Sequence, residues 1–291
     1  HGPARLHVLG QARAGACGPM LDSFATVHRT RAILRCVASV RDARKFMSAA
    51  RIAARSKPVV VVKSGRHVPA TGELGTHVAA LASADAVYDA AFRRAGLLRV
   101  RALDELFAAA ETMGRLRAFS GRRLAILTNG GGVGGLAADS LLDLGGTLAT
   151  LSPETRSKLE VLLPAAWSQD NPVDILRDAD EARYSAAVEA LLEDANSDAL
   201  LVVNVPTALS SSTEAALALT HAVERQPRNA RHKPVFAVWL GEEASATEAL
   251  AQVHIPNYRS EADAIRGFMH LVRHGEAQAA LMETPPSLPE D

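Results

Sequence analysis

The sequence predicts an α/β protein built from two doubly wound modules of parallel sheet, the first of them truncated. Three observations carry this expectation. Apolar runs of β type alternate with helical runs along almost the whole chain. The apolar runs are continuous rather than alternating, and a polar break at Ser120-Gly121-Arg122-Arg123 separates two such series. Continuously apolar strands are buried on both faces, and helices in the crossovers between them make the pairing parallel. The 291 residues suit about two domains.

The first module spans residues 1–119. Residues 1–27 show little periodicity, and "GQARAGACGP" reads as irregular. Next, "ILRCV" (33–37) precedes the helical run 42–56, and "PVVVVKSG" (58–65) precedes a long loop and the helix "DAVYDAAFRRAG" (85–96). "LLRV" (97–100) then leads to a helix over 103–116. With three strand–helix units, this module is short of its opening strands. The second module spans 122–276 and holds five strands. "LAILTN" (124–129) leads to a helix over 133–144, and "TLATL" (147–151) to a helix starting near Pro153. "DALLVVNV" (198–205), "PVFAVWL" (234–240) and "IPNY" (255–258) each precede a further helix. Residues 277–291 end in "ETPPSLPED", a Pro-rich acidic composition suited to a linker tail.

Composition excludes several classes. The chain is 48% hydrophobic and 22% charged with zero formal net charge, so no bulk charge argues for nucleic acid or an anionic membrane. No apolar run approaches the roughly 20 residues that span a bilayer. Two cysteines, Cys17 and Cys36, are too few and too separated for a disulfide framework or a zinc site. No metal spacing of the H-E-x-x-H kind occurs among the histidines. A reduced, cytoplasmic protein is expected, and a chain opening on His-Gly-Pro rather than Met, without a secretory leader, reads as a fragment.

Three segments are candidates for chemistry. The first is the corner Asn129-Gly130-Gly131-Gly132, where a strand ends and a helix opens. Such a corner presents free backbone N–H groups and the positive end of a helix dipole, and glycines let a bulky anion approach. Ligands of open α/β sheets sit at the carboxyl ends of strands where the strand order reverses. For an order 2-1-3-4-5, that crevice lies between Asn129–Gly132 and the loop Asn204-Val205-Pro206-Thr207, which makes Pro206 and Thr207 candidate substrate contacts. A tight turn with close helix packing accounts for the same glycines. No Gly-Lys-Ser/Thr follows, which rules out a P-loop, and no acidic residue is clearly placed for a dinucleotide fingerprint.

The second is the loop "GRHVPATGELGTHVAALASAD" (65–85), whose length suggests function. It holds His67 and His77, either solvated surface histidines or a nucleophile that carries a group between stations. The third is "QDNPVDILRDADEARY" (169–184). It suits a turn and an N-cap at Asp180, with Asp174 as a candidate substrate contact.

Taken together, "KPVVVVKSGR", "THVAALASADAVYDAAFRRAGLLRV", "RLAILTNGGGVGGLAAD" and "NPVDI" resemble the NDP-forming acyl-CoA synthetases, relatives of succinyl-CoA synthetase. Bacterial protein lysine acetyltransferases that fuse a ligase-like region to an acetyltransferase domain share these segments. The resemblance covers about residues 29–285 and preserves the order and spacing of the motifs. It implies two succinyl-CoA synthetase-like, flavodoxin-like modules in a fragment of an acid–CoA ligase, such as an acetate–CoA ligase. It also implies a reaction in which acyl-CoA, phosphate and NDP interconvert with acid, CoA and NTP through an acyl phosphate. A loop histidine takes the phosphoryl group and delivers it to NDP in an ATP-grasp domain.

The family's phosphohistidine motif reads Ser/Thr-His-Thr-Gly-Ala-Leu-Ala-Gly-x-Asp, and Thr76, His77, Ala80, Leu81, Ala82 and Asp85 match it. The resemblance therefore makes His77 the catalytic nucleophile. Asn129, Gly130, Gly131 and Gly132 become the helix terminus that faces its phosphate, a feature worth about 0.3–2 kcal/mol per charge. Val78, Ala79 and Ser83 depart from the motif. Ala38 stands where the family has a glutamate that orients the histidine. The resemblance assigns no cofactor to this module itself. It implies CoA, ATP or ADP and magnesium for the full-length enzyme, with a CoA-binding domain upstream and an ATP-grasp domain downstream. Neither nucleic acid nor membrane is an expected partner, and an oligomer is compatible with this organisation. The alternative is a non-catalytic region that senses acyl-CoA or nucleotide beside an acetyltransferase.

Overall fold

The computed structural model describes residues 31–37, 40, 42–65, 85–116, 119–226, 232–241 and 244–283. The chain divides into two compact units, residues 1–114 with 273–291, and residues 115–272.

In the first unit, β1 (Ile33–Val37), β2 (Val59–Lys63) and β3 (Leu98–Val100) form a parallel sheet in the order β1-β2-β3. The helix α1 (Ala43–Ser56) is capped by Asp42, whose carboxylate accepts the Lys45 N–H at 3.0 Å. Its apolar residues recur at helical spacing, so Phe46, Ala49, Ala50, Ala53 and Ala54 form one buried face. The helices α2 (Asp85–Arg94) and α3 (Leu103–Arg115) follow β2 and β3 in sequence. Phe92 is fully buried, with the Phe46 and Tyr88 rings at 6.0 and 5.8 Å. The expected loss of opening strands falls on residues 1–30, which lie outside the described residues.

The second unit is a six-stranded parallel sheet on which helices alternate with strands in sequence. Its main path runs β5 (Thr147–Leu148), β4 (Arg123–Thr128), β7 (Ala199–Asn204), β8 (Val235–Trp239) and β9 (Asn257–Tyr258). This is the expected order 2-1-3-4-5. β4 is buried beyond its first residue, and β7 and β8 are buried throughout. That pattern reflects helices on both faces. The helices are α4 (Gly131–Asp143), α5 (Pro153–Leu162), α6 (Glu181–Glu193), α7 (Ser212–Glu224), α8 (Ala244–Gln252) and the first part of α9 (Glu261–Met282), whose residues from Arg273 onward belong to the first unit. Ser152, Asp180 and Ser211 cap α5, α6 and α7, each accepting a backbone N–H from the first turn.

Three expectations need correction. A sixth strand, β6 (Val173–Asp174), pairs with the carboxyl end of β4 where a turn was expected. The second strand is two residues long rather than five, because β5 pairs with β4 only at Arg123 and Leu124. The expected linker tail is helical as far as Met282, because Ala277 and Leu281, one turn apart, are both buried. Residues 284–291 lie outside the described residues.

Asn171 connects the two short strands that share one side of β4. Its Oδ1 accepts the Ile126 N–H at 2.9 Å, and its Nδ2 donates to Leu124 O and Ala149 O at 2.9 and 2.8 Å. The carboxamide thus supplies the partner that the Ile126 N–H lacks between β5 and β6, and adds a second donor to Leu124 O, which also accepts the Ala149 N–H at 2.9 Å. At the amino edge, the buried Asp198 carboxylate accepts from the Arg123 backbone N–H and from both Nε and Nη2 of its guanidinium. A Cβ on Gly121, at φ +121°, would run into that carboxylate.

Candidate functional site

The carboxyl edge of the second sheet is built from the ends of β4, β6 and β7. β4 ends at Thr128, whose buried Oγ1 accepts the Gly130 N–H at 3.0 Å and turns the chain into α4. The helix opens earlier than its apolar pattern suggests, with Gly130 as N-cap at φ −141°, ψ 91° and Gly131 as its first residue. The Gly130 carbonyl accepts the Val133 and Gly134 N–H groups. The N–H groups of Gly131 and Gly132 have no partner among the described residues, and both glycines are exposed. These are the orphan donors of a helix terminus.

The glycines have different reasons to be there. A Cβ on Gly130 would meet Val205 Cγ2 at 2.7 Å, and one on Gly131 would meet Asp174 Oδ2 at 2.5 Å. Around Gly132 there is open space. Packing therefore accounts for the first two, whereas nothing within the described fold requires the third.

Asn129 is fully buried, and its side chain joins the two loops of the crevice. Nδ2 donates to Val205 O at 2.8 Å, and Val205 N–H donates to Oδ1 at 2.7 Å. The structure thus brings Asn129–Gly132 beside Asn204–Thr207, as the strand order requires. The Asn129 carboxamide is committed to this staple, so it positions the corner while the backbone of the glycines faces outward.

Asp174, at the end of β6, reaches the same corner. Its Oδ1 accepts the Leu176 N–H at 2.9 Å, and its other oxygen lies beside Gly131. Thr207 Oγ1 donates to Arg177 O at 3.0 Å and accepts from the Leu209 N–H, which ties the loop after β7 to the loop after β6. Below this surface, Asn204 Nδ2 donates to the buried Tyr184 hydroxyl at 2.8 Å. Burial raises the Tyr184 pKa well above its ordinary value, so the phenol stays neutral.

These loops enclose a cleft of about 390 Å³ lined by Asn129, Gly130, Arg177, Val205, Pro206 and Thr207, among others. Arg177 is the residue that sequence reasoning missed. The signal available was a cation three positions beyond Asp174 in a segment already singled out, but its place on the crevice depends on β6 pairing with β4. His67, His77 and Ala38 lie outside the described residues. Among the described residues, no group of three or more His, Cys, Asp or Glu could hold a metal ion. No helix among them is long and apolar enough to cross a membrane.

Comparison with known proteins agrees with this architecture. Residues 2–113 match the succinyl-CoA ligase like flavodoxin domain, and residues 124–267 match the ligase-CoA domain. The chain is 35% identical over 260 residues to the ADP-forming acetate–CoA ligase I of Archaeoglobus fulgidus, covering 89% of this chain and 36% of that protein. It is 31% identical over 266 residues to the alpha subunit of the ADP-forming acetate–CoA ligase II of Pyrococcus furiosus, covering 88% of this chain and 56% of that subunit. Among solved structures, it resembles the dinucleotide forming acetyl-coenzyme A synthetase 1 of Ca. Korarchaeum cryptofilum in complex with phosphate and ADP. The TM-score is 0.75 at 26% identity, over 91% of this chain and 57% of that one. The chain thus spans between about a third and somewhat over half of the length of these relatives. With its two domains in tandem, it belongs to the family of NDP-forming acyl-CoA synthetases, the succinyl-CoA synthetase-like ligases.

Proposed function

We propose that the chain is the phosphohistidine-bearing part of an NDP-forming acid–CoA ligase. The whole enzyme forms acyl-CoA from an acid, CoA and NTP through an acyl phosphate. His77 takes the phosphoryl group from the acyl phosphate in one direction and from NTP in the other. The glycine corner holds that group while it is on the histidine. The observation that carries this reading is the pair of exposed, unpartnered N–H groups of Gly131 and Gly132 at the carboxyl edge of a parallel sheet. A phosphoryl dianion needs backbone donors and the positive end of a helix dipole, and this terminus offers both.

CoA, a nucleotide and magnesium serve the whole enzyme rather than this chain alone. A CoA-binding domain and an ATP-grasp domain, in the same chain or in a partner subunit, complete it. A cytoplasmic setting fits the chemistry. The test is acid-labile phosphate analysis of the full-length protein incubated with ATP and magnesium. Label that appears in the wild type and disappears in His77→Ala supports the reading. Label that survives His77→Ala overturns it.

Ala38, in place of the family's orienting glutamate, favours a second reading. A histidine nucleophile without an orienting carboxylate loses its preferred tautomer. The chain would then be a non-catalytic region that senses acyl-CoA or nucleotide, as in ligase-like regions fused to acetyltransferases. Absence of label in the wild type, with label restored in Ala38→Glu, would show a decayed ligase site, the condition this second reading requires.

A further inference from the structure

The glycine corner has a charge problem. The Asp174 carboxylate already lies against Gly131, at the helix terminus where the functional reading above seats a phosphate or carboxylate. Like charges brought together in a half-buried site repel, and a helix terminus alone offsets little of that repulsion. A cation on the same rim is required if the crevice is to hold an anion.

Arg177 fills that requirement. It lines the cleft together with Gly130 and Thr207, and it is the sole charged residue among the described residues that do so. Its backbone is fixed from the opposite loop, since its carbonyl accepts the Thr207 hydroxyl at 3.0 Å. Its guanidinium has no partner among the described residues. The carboxylates near it in sequence are engaged elsewhere. Asp178 binds Arg183 Nη1 at 2.7 Å, Asp180 caps α6, and Asp174 holds the Leu176 N–H. A guanidinium with unused donors suits a group that offers two oxygens side by side.

We propose that Arg177 is the oxyanion-binding residue of this crevice, reading the phosphate or carboxylate group of the substrate at the glycine corner. The proposal rests on the functional reading above but adds a residue which that reading does not contain. It also explains why the loop after β6 reaches the crevice, since this loop delivers both the Asp174 carboxylate and the cation that balances it.

The test uses the full-length protein with two probes, inorganic phosphate and acetate, titrated separately while thermal unfolding is followed. An anion that binds the folded state raises the unfolding midpoint by an amount that grows with the logarithm of its concentration once that exceeds Kd. Without anion, Arg177→Ala should unfold at the wild-type temperature, because its side chain holds no described contact. With anion, the wild-type midpoint should rise. Arg177→Ala should require at least tenfold more of the same anion for an equal rise, Arg177→Lys should recover part of it, and Arg225→Ala, remote in the fold, should match the wild type. Dependence on Arg177 with phosphate alone identifies a phosphoryl site, and with acetate alone a site for the acid. Equal rises in the wild type and Arg177→Ala with both anions overturn the proposal, as does the absence of any rise in the wild type. Labelling of His77 is read separately. A labelled wild type with Arg177-independent binding sinks this inference alone, and an unlabelled wild type with Arg177-dependent binding sinks the phosphohistidine reading alone.

Discussion

Gly131 and Gly132 are neighbours in sequence with opposite reasons for being glycine. A Cβ on Gly131 would collide with Asp174, whereas one on Gly132 would enter open space. Gly131→Ala should therefore displace the Asp174 carboxylate from the Leu176 N–H and, net of alanine's better helix propensity, destabilise the second unit by up to about 1 kcal/mol. Gly132→Ala should stabilise it by up to about 1 kcal/mol, since alanine is the better helix former. Urea unfolding of this chain followed by tryptophan fluorescence resolves the difference, because Trp167 and Trp239 both lie in the second unit. Equal destabilisation by both substitutions would show that Gly132 has a packing role after all. The glycine run was legible as a corner, but the sequence could not divide it this way. Asp174 arrives from a distant segment, and only the β4–β6 pairing brings it against Gly131. Asn129 was legible as a member of the site but not as its staple, since that role depends on Val205 in the loop after β7.

At the scale of elements, the long apolar strands β4, β7 and β8 announced themselves and were found near their expected places. The two-residue strands carry no periodicity to read. β6 is held by pairing and by the adjoining Asn171, which bridges the gap between β5 and β6 with one acceptor and two donor contacts. Asn171→Ala should cost roughly 3 kcal/mol, at about 1 kcal/mol for each lost bond, and loosen the loop that carries Arg177. Faster hydrogen exchange confined to Ile126 and residues 168–178 would match this, and wild-type exchange there would contradict it. Helix α9 gives a pH-dependent prediction. His274 is buried, its Nδ1 has no hydrogen-bond partner among the described residues, and burial holds its pKa below the ordinary histidine value. The unfolded chain takes up a proton near pH 6.5, and the folded chain does so only at lower pH. Its effect on stability is therefore nil above about pH 6.5, turns unfavourable as pH falls below that value, and levels off below the folded-state pKa. NMR titration of His274 should give a midpoint below 6.5, and His274→Leu should flatten this part of the stability profile. A midpoint above 6.5 would contradict the burial argument.

At the scale of the whole molecule, the sequence announced two α/β modules and misplaced the material after residue 276. That stretch reads as a linker because "ETPPSLPED" dominates its composition, yet the turns before it carry buried apolar residues. Glu261–Val272 of α9 belong to the second unit and Arg273–Met282 to the first. Leu281 joins the core of the first unit, and Gln278 Nε2 donates to Gly96 O at 3.1 Å. Leu281→Ala should cost about 3 kcal/mol. Limited proteolysis within the first unit should detect it, and an unchanged digestion pattern would argue that the last turns of α9 are dispensable. The chemistry stays distributed in the same way, since the nucleophile His77 is a family inference and the crevice is a structural one. Their link is the central claim, and Gly132 tests it most directly because its side-chain space is empty. Acid-labile phosphate should be quantified over time in the full-length protein with Gly132→Val, at acetyl phosphate concentrations that label the wild type, with labelling by ATP and magnesium as the control for the ATP-grasp side. The account predicts a folded variant whose phosphohistidine forms at least tenfold more slowly, because the valine methyls occupy the approach to the two free N–H groups. A variant that gains and keeps its label at the wild-type rate would contradict the assignment of the glycine corner as the phosphate cradle.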